Sequence, residues 1–161
     1  NQGNALRLLN RSPEALKSFD RAIALRPNHA KAYCNRGAVL EALGQSAEAL
    51  AEFERALAIL PNFPEATLNR CCSLHTLKRT DEMVQSLDAL LAAHPNYAEA
   101  HYMRGLLLAD FNRANEAAAS YDRAAALKTD YSKARWASCN AVLPILYADE
   151  AEIGRQRAEY E

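Results

Sequence analysis

The sequence predicts an all-α fold, a solenoid of antiparallel helix pairs, and three observations carry that expectation. Small, aromatic and proline marks recur at a fixed step of 34 along the 161 residues. Each step holds two stretches whose apolar residues fall at helical spacing. Only five Gly and six Pro punctuate the chain, so the elements between them are long. Units of this kind stack on their neighbours instead of enclosing one core. The expected organisation is a single array over residues 1–161, with units 1–29 (truncated at its start), 30–63, 64–97, 98–131 and a divergent or capping 132–161.

In chain order, the first unit carries Gly3, Ala15, Phe19, Ala22 and Pro27, and the second repeats them as Gly37, Ala49, Phe53, Ala56 and Pro61. The third replaces them with Cys71, Met83, Leu87, Leu90 and Pro95, which reads as compensated repacking, volume moving from one position to another. The fourth restores Gly105, Ala117, Tyr121 and Ala124 but has Thr129 in place of the proline. The fifth, with Cys139, Ala151, Arg155 and Ala158, departs most.

Within the second unit, Tyr33, Arg36, Gly37, Leu40 and Leu43 form one stripe, and Ala49, Leu50, Phe53, Ala56, Leu57 and Leu60 a second. Asn10, Gly44 and Asn112 suit the left-handed turn between paired helices, with Lys78 the exception, and Ser12, Ser46 and Thr80 are N-cap candidates. Pro13 suits a first helical position, while Pro27, Pro61 and Pro95 end second helices. His29, Phe63, Tyr97 and Tyr131 recur at the inter-repeat turn as packing residues. Pro144 is expected to end the fifth unit's first helix near Leu143. Asp149 and Glu152 then open a final helix from Glu150 to about Tyr160, either a capping element or the start of a linker.

A step of 34 with Gly or a small residue, then Ala, an aromatic, Ala and Pro, resembles the tetratricopeptide repeat family over the whole chain. That resemblance implies a right-handed superhelix whose concave groove is lined by each repeat's first helix. It also implies fixed groove positions. Two residues before the small mark stand Asn1, Asn35 and Asn69, followed by Met103 and Ala137. A row of amides one repeat apart offers donors and acceptors to the backbone of an extended peptide, and it resembles the groove asparagines of O-linked N-acetylglucosamine transferase and its bacterial relatives. The competing reading is hydrogen bonding within or between helices.

One residue after the small mark come Asn4, Ala38, Cys72, Leu106 and Asn140, and three before it Cys34, Leu68, Tyr102 and Trp136. The groove is thus expected to change from polar at Asn1, Asn4 and Asn35 to apolar and aromatic at Tyr102, Met103, Leu106 and Trp136, a composition suited to an interaction hot spot. A core or stacking role for Trp136 competes with this. Lys31, Glu65, Glu99 and Lys133 at the groove edge are mixed in sign and favour no strongly acidic or basic ligand.

Other chemistry finds little support. A formal charge of -1 removes the field that nonspecific nucleic-acid binding requires. No apolar run approaches the ~18 residues of a membrane helix, and no charged-then-apolar leader opens the chain. Cys34, Cys71, Cys72 and Cys139 make no disulfide framework, which fits a reducing, cytoplasmic setting. Cys71, Cys72 and His75 lie on one expected helix, but adjacent side chains diverge by about 100 degrees and leave an incomplete metal set. No cofactor is implied, and no Ser, Cys or His pair has the spacing of nucleophile and base. Asp20, Glu54, Asp88 and Asp122, beside Arg21, Arg55 and Arg123, recur on the outer face as surface or inter-repeat ion pairs.

The expected function is a non-catalytic module that binds a protein or extended peptide in its groove. The alternative is the substrate-recruiting arm of a bacterial glycosyltransferase resembling the O-linked N-acetylglucosamine transferase family, with the tail LPILYADEAEIGRQRAEYE resembling its join to a catalytic half. The chain opens at Asn1 without methionine and stops at Glu161 inside an expected helix, as an excised piece would. Self-association through uncovered terminal helices is a third reading.

Overall fold

A computed structural model describes residues 12–146, with side chains described through residue 141. Among these residues there are eight helices and no strand: α1 Ser12–Leu25, α2 Ala30–Ala42, α3 Ser46–Ile59, α4 Pro64–Thr76, α5 Thr80–Ala93, α6 Ala98–Asp110, α7 Ala114–Leu127 and α8 Ser132–Leu146. Contacts group the chain into two compact units, Asn1–Leu90 and Leu91–Glu161, divided within α5.

Local punctuation places the helices. α1, α3 and α5 each end two residues before a proline, at Leu25, Ile59 and Ala93, because the residue preceding proline is pushed out of the helical region. Pro64 opens α4, where its missing N–H leaves no bond unmade. The turns within helix pairs share one closure. Gly44, Lys78 and Asn112 take positive φ of 76, 59 and 57 degrees. The next residue's N–H bonds five residues back in each turn, Gln45 to Leu40, Arg79 to Leu74 and Arg113 to Leu108, at 2.9–3.0 Å. This is a Schellman closure repeated three times. Lys78, expected to be the exception, adopts the left-handed conformation despite its Cβ, because the same bonds close its turn.

Two further expectations are corrected. Ser46 is the first residue of α3, not its cap, and its hydroxyl donates to Glu41 Oε1 at 2.9 Å. The cap position is Gln45, with no side-chain cap bond. α8 does not end near Leu143 but runs through Pro144 to Leu146. A proline two residues from a helix terminus removes one backbone bond from a turn that is already closing. The helix expected from Glu150 lies outside the described residues.

In the unit Asn1–Leu90, Ala15, Phe19 and Val39 pack α1 against α2. Ala30, Cys34, Ala49, Phe53, Ala56, Phe63 and Ala66 then join α2, α3 and the start of α4. The small mark has a direct cause here: a Cβ on Gly37 would stand 2.7 Å from Phe53 Cε1. In the third repeat Cys71 is fully buried with Met83, Leu87 and Leu90, so the extra sulfur at the mark accompanies a smaller side chain at the ring position. α2 shows the expected stripe in part: Gly37 is buried and Tyr33 and Leu40 pack against the cluster around Phe53, whereas Leu43, just past the end of the helix, is 49% exposed, and Val39, outside the stripe, is buried against α1. Leu60, placed in α3's stripe, lies just past the end of that helix and is exposed.

The unit Leu91–Glu161 repeats the packing. Leu108, Ala117 and Tyr121 form its cluster, with Tyr102, Leu106, Ala137 and Ala141 against it. A Cβ on Gly105 would meet the Tyr121 ring even more closely than at Gly37.

The recurring carboxylates find partners that their sequence neighbours do not supply. Arg36 on α2 holds Glu52 of its own pair at 2.6 Å and Asp20 of the preceding pair at 2.6 Å. Burial opposes the charge on Arg36, yet the bonds from Asp20 and Glu52 outweigh it and raise the pKa above the ordinary value. Arg70 likewise donates to Ser86 and lies 3.7 Å from Glu54. Within the second unit Arg104 donates to Ser120 at 3.4 Å and Ser138 to Asp122 at 2.6 Å. Inter-repeat pairing thus occurs, but through Arg36 and Arg70.

Candidate functional site

The expected groove residues sit on the first helices α2, α4, α6 and α8, whose starts at Ala30, Pro64, Ala98 and Ser132 are one 34-residue step apart. Asn1 and Asn4 lie outside the described residues. In the unit Asn1–Leu90, Asn35 on α2 and Asn69 on α4 are both half-buried. Asn69 Nδ2 donates to the buried Cys34 Sγ at 3.6 Å, a weak inter-repeat bond of the kind that competes with a ligand role. Cys72, one turn further along α4, is half-buried.

Near it stands a polar node that sequence reasoning missed. Glu41, at the end of α2, accepts from Ser46 at 2.9 Å and from Ser73 at 2.5 Å, so Ser73, fully buried, occupies a place held by Val39 and Leu107 in adjacent units. A serine in an otherwise apolar register was the available signal. The exact 34-step recurrence of Arg36, Arg70 and Arg104 was the signal for the arginine bridges.

In the unit Leu91–Glu161, Tyr102 stands between Tyr121, at 5.5 Å between ring centroids, and Tyr131, at 5.3 Å. Leu106 packs against the same cluster. Met103, expected on the groove, is only 7% exposed and belongs with the core, so it offers a ligand little surface. Trp136 on α8 is 74% exposed among the described residues. Asn140, one turn beyond it, is half-buried, and its Nδ2 is buried with no partner among the described residues. The structure therefore brings Tyr102 and Leu106 together and Trp136 and Asn140 onto one helix.

Two thiols and one phenol here are held neutral. Burial, aided by Cys72, pushes the Cys71 thiol up to about 12. Burial and then the Glu41 carboxylate raise Cys72. Burial, Tyr102 and Asp110 push the Tyr121 hydroxyl up to about 12. Protonated thiols are poor nucleophiles and metal ligands. Among the described residues no cluster of three His, Cys, Asp or Glu is placed to hold a metal ion, and no helix is long and apolar enough to cross a membrane.

An all-α chain of stacked helix pairs with this punctuation defines a helical-repeat protein. Models described as TPR repeat and as tetratricopeptide repeat match residues 3–44, 30–63 and 81–132, together more than half of the chain. The chain belongs to the tetratricopeptide repeat family.

Several solved structures share the fold. TTC0263, a thermophilic TPR protein of Thermus thermophilus, is 24% identical with a TM-score of 0.79, covering 89% of this chain and 79% of that one. MamA from Desulfovibrio magneticus RS-1 is 21% identical with a TM-score of 0.74, covering 89% and 81%. YrrB, described as a TPR protein with an unusual peptide-binding site, is 19% identical with a TM-score of 0.67, covering 97% and 88%. No curated protein matches the chain.

Proposed function

We propose that the chain is a non-catalytic protein-interaction module whose first helices take an extended peptide of a partner protein. One observation carries the reading: Asn35 and Asn69, one repeat apart on successive first helices, both keep part of their surface open to solvent. One amide hydrogen of Asn69 goes to Cys34, leaving the other hydrogen and the oxygen for a peptide backbone. Membership of the repeat family and the peptide-binding site ascribed to YrrB support it. The neutral thiols fit a binding role better than a nucleophilic one. The test compares wild type with Asn35→Ala/Asn69→Ala on a peptide array and by fluorescence anisotropy, with a thermal melt to control for loss of the Cys34 bond. The double variant is expected to bind about tenfold more weakly, the size of one or two hydrogen bonds. Unchanged affinity sinks the ladder.

The asparagine register also supports a second reading, in which the repeats recruit substrates for a glycosyltransferase resembling the O-linked N-acetylglucosamine transferase family. Reading the gene downstream of Glu161 tests it, and a stop codon within a few residues removes it.

A further inference from the structure

We propose that the face of α8 carrying Lys133, Trp136 and Asn140 is a docking subsite for an extended peptide that pairs an acidic residue with an apolar one. This rests on the reading of the first helices as a peptide-binding surface. The three residues lie at i, i+3 and i+7 and so share one side of the helix. Each contributes a different recognition element.

Trp136, 74% exposed, presents a broad apolar plate to water, the kind of side chain that anchors interfaces. Asn140 Nδ2 is a buried donor with no partner among the described residues, a condition that buried amides rarely sustain. A rotation of the half-buried amide brings a hydrogen toward the surface, where a peptide carbonyl satisfies it.

Lys133 supplies the sign. It is exposed and has no ion pair among the described residues. Its counterpart one repeat earlier, Glu99, is held by Lys128 Nζ at 2.9 Å, a bond that lowers the Glu99 pKa. The mixed charges expected at the groove edge are therefore unequal in this unit, since the carboxylate is neutralised from within the chain and the lysine is not. No acidic residue occurs in α8 from Ser132 to Leu146; Asp122 of α7 meets the helix at Ser138, and Asp130 precedes it. The exposed, unpaired Lys133 is the charge that favours a carboxylate on the ligand.

The spacing fits a short segment. At about 1.5 Å of rise per residue, Lys133 to Asn140 spans roughly 10 Å, the reach of about three residues of extended peptide. A carboxylate at Lys133, an apolar side chain over Trp136 and a main-chain carbonyl at Asn140 then follow one another along a single strand.

The chain holds a single tryptophan beside seven tyrosines, so emission excited at the red edge of the absorption band, where tyrosine hardly absorbs, reports this site alone. The experiment titrates the full chain with the acetylated, amidated peptide Ser-Glu-Gly-Leu-Gly-Ser and with the same peptide carrying Lys for Glu. Emission is read alongside anisotropy of labelled copies. The acidic probe is expected to shift emission to the blue and bind about fivefold more tightly than the lysine probe, the size of one exposed ion pair. Lys133→Glu should invert that ranking without altering the circular dichroism. An unmoved emission, equal affinities or an uninverted ranking overturns the proposal. Binding seen by anisotropy that Asn35→Ala/Asn69→Ala abolishes, with emission fixed throughout, sinks the subsite and leaves the asparagine ladder standing. Blue-shifted binding that survives the double variant does the reverse.

Discussion

In the helix pair α2/α3 the ring of Phe53 crowds against Gly37, whereas in α4/α5 the equivalent positions hold Leu87 and Cys71, both buried. Judged by its marks alone the third repeat is degenerate. Its burial says otherwise, because Cys71, Met83, Leu87 and Leu90 are as deeply enclosed as the residues they replace. What the repeat preserves is roughly the combined volume at two positions sixteen residues apart, so the size tolerated at one depends on the size of the other.

Gly37→Ala tests that statement most severely. Phe53 is fully buried, so its ring cannot swing away from a new methyl group. Destabilisation of about 2–3 kcal/mol is expected in urea unfolding even though alanine gains roughly 1 kcal/mol of helix propensity. Adding Phe53→Leu imitates the third repeat and should recover at least about 1 kcal/mol relative to the sum of the single changes. An additive double variant would show that the two positions do not share their space.

The bond joining the two pairs comes next. Glu41→Ala removes the acceptor of the fully buried Ser73 and should cost about 1–2 kcal/mol. Combining it with Ser73→Val, which copies the apolar residue at Val39, should return most of that loss. A double variant as unstable as Glu41→Ala alone would assign the carboxylate another role.

The smallest expected effect contrasts the two turns. Gly44 takes its positive φ without a side chain, while Lys78 takes the same conformation against its Cβ. Lys78→Gly should raise stability by roughly 0.5–1 kcal/mol, read as an upward shift of the thermal midpoint. A lowered midpoint would mean that the lysine side chain makes a contribution larger than its strain.

These contrasts show what the sequence could and could not convey. Period, helix pairing and the ends of α1, α3 and α5 were legible because glycine, proline and small residues act locally, within a turn or two of where they stand, whereas Pro144 did not end α8 as expected. The cause of the small mark was not, since it lies in a ring half a repeat away. Arg36 was visible in the α2 stripe but its two partners were not, because pairing sets Asp20 and Glu52 on it from two different helices. Val39 falls outside the stripe yet is buried by α1, a second contact that one helix's periodicity does not display, and Leu43 is exposed because the helix ends before it. At the candidate site, residue types and register were readable, yet exposure decided their meaning. It separated Met103, enclosed, from Trp136, open to solvent.

The arginine bridges have a consequence for how the chain folds. Arg36 reaches sixteen residues forward to Glu52 and sixteen back to Asp20, and Arg70 does the same with Ser86 and Glu54. No such bond closes a loop longer than about half a repeat, so the entropy of closure stays small at every step. Short sequence separation between contacting groups is the condition for rapid folding. Within the unit Asn1–Leu90, Asp20 of one pair and Glu54 of the next each offer the following arginine a carboxylate already in place, which lets order spread from pair to pair there.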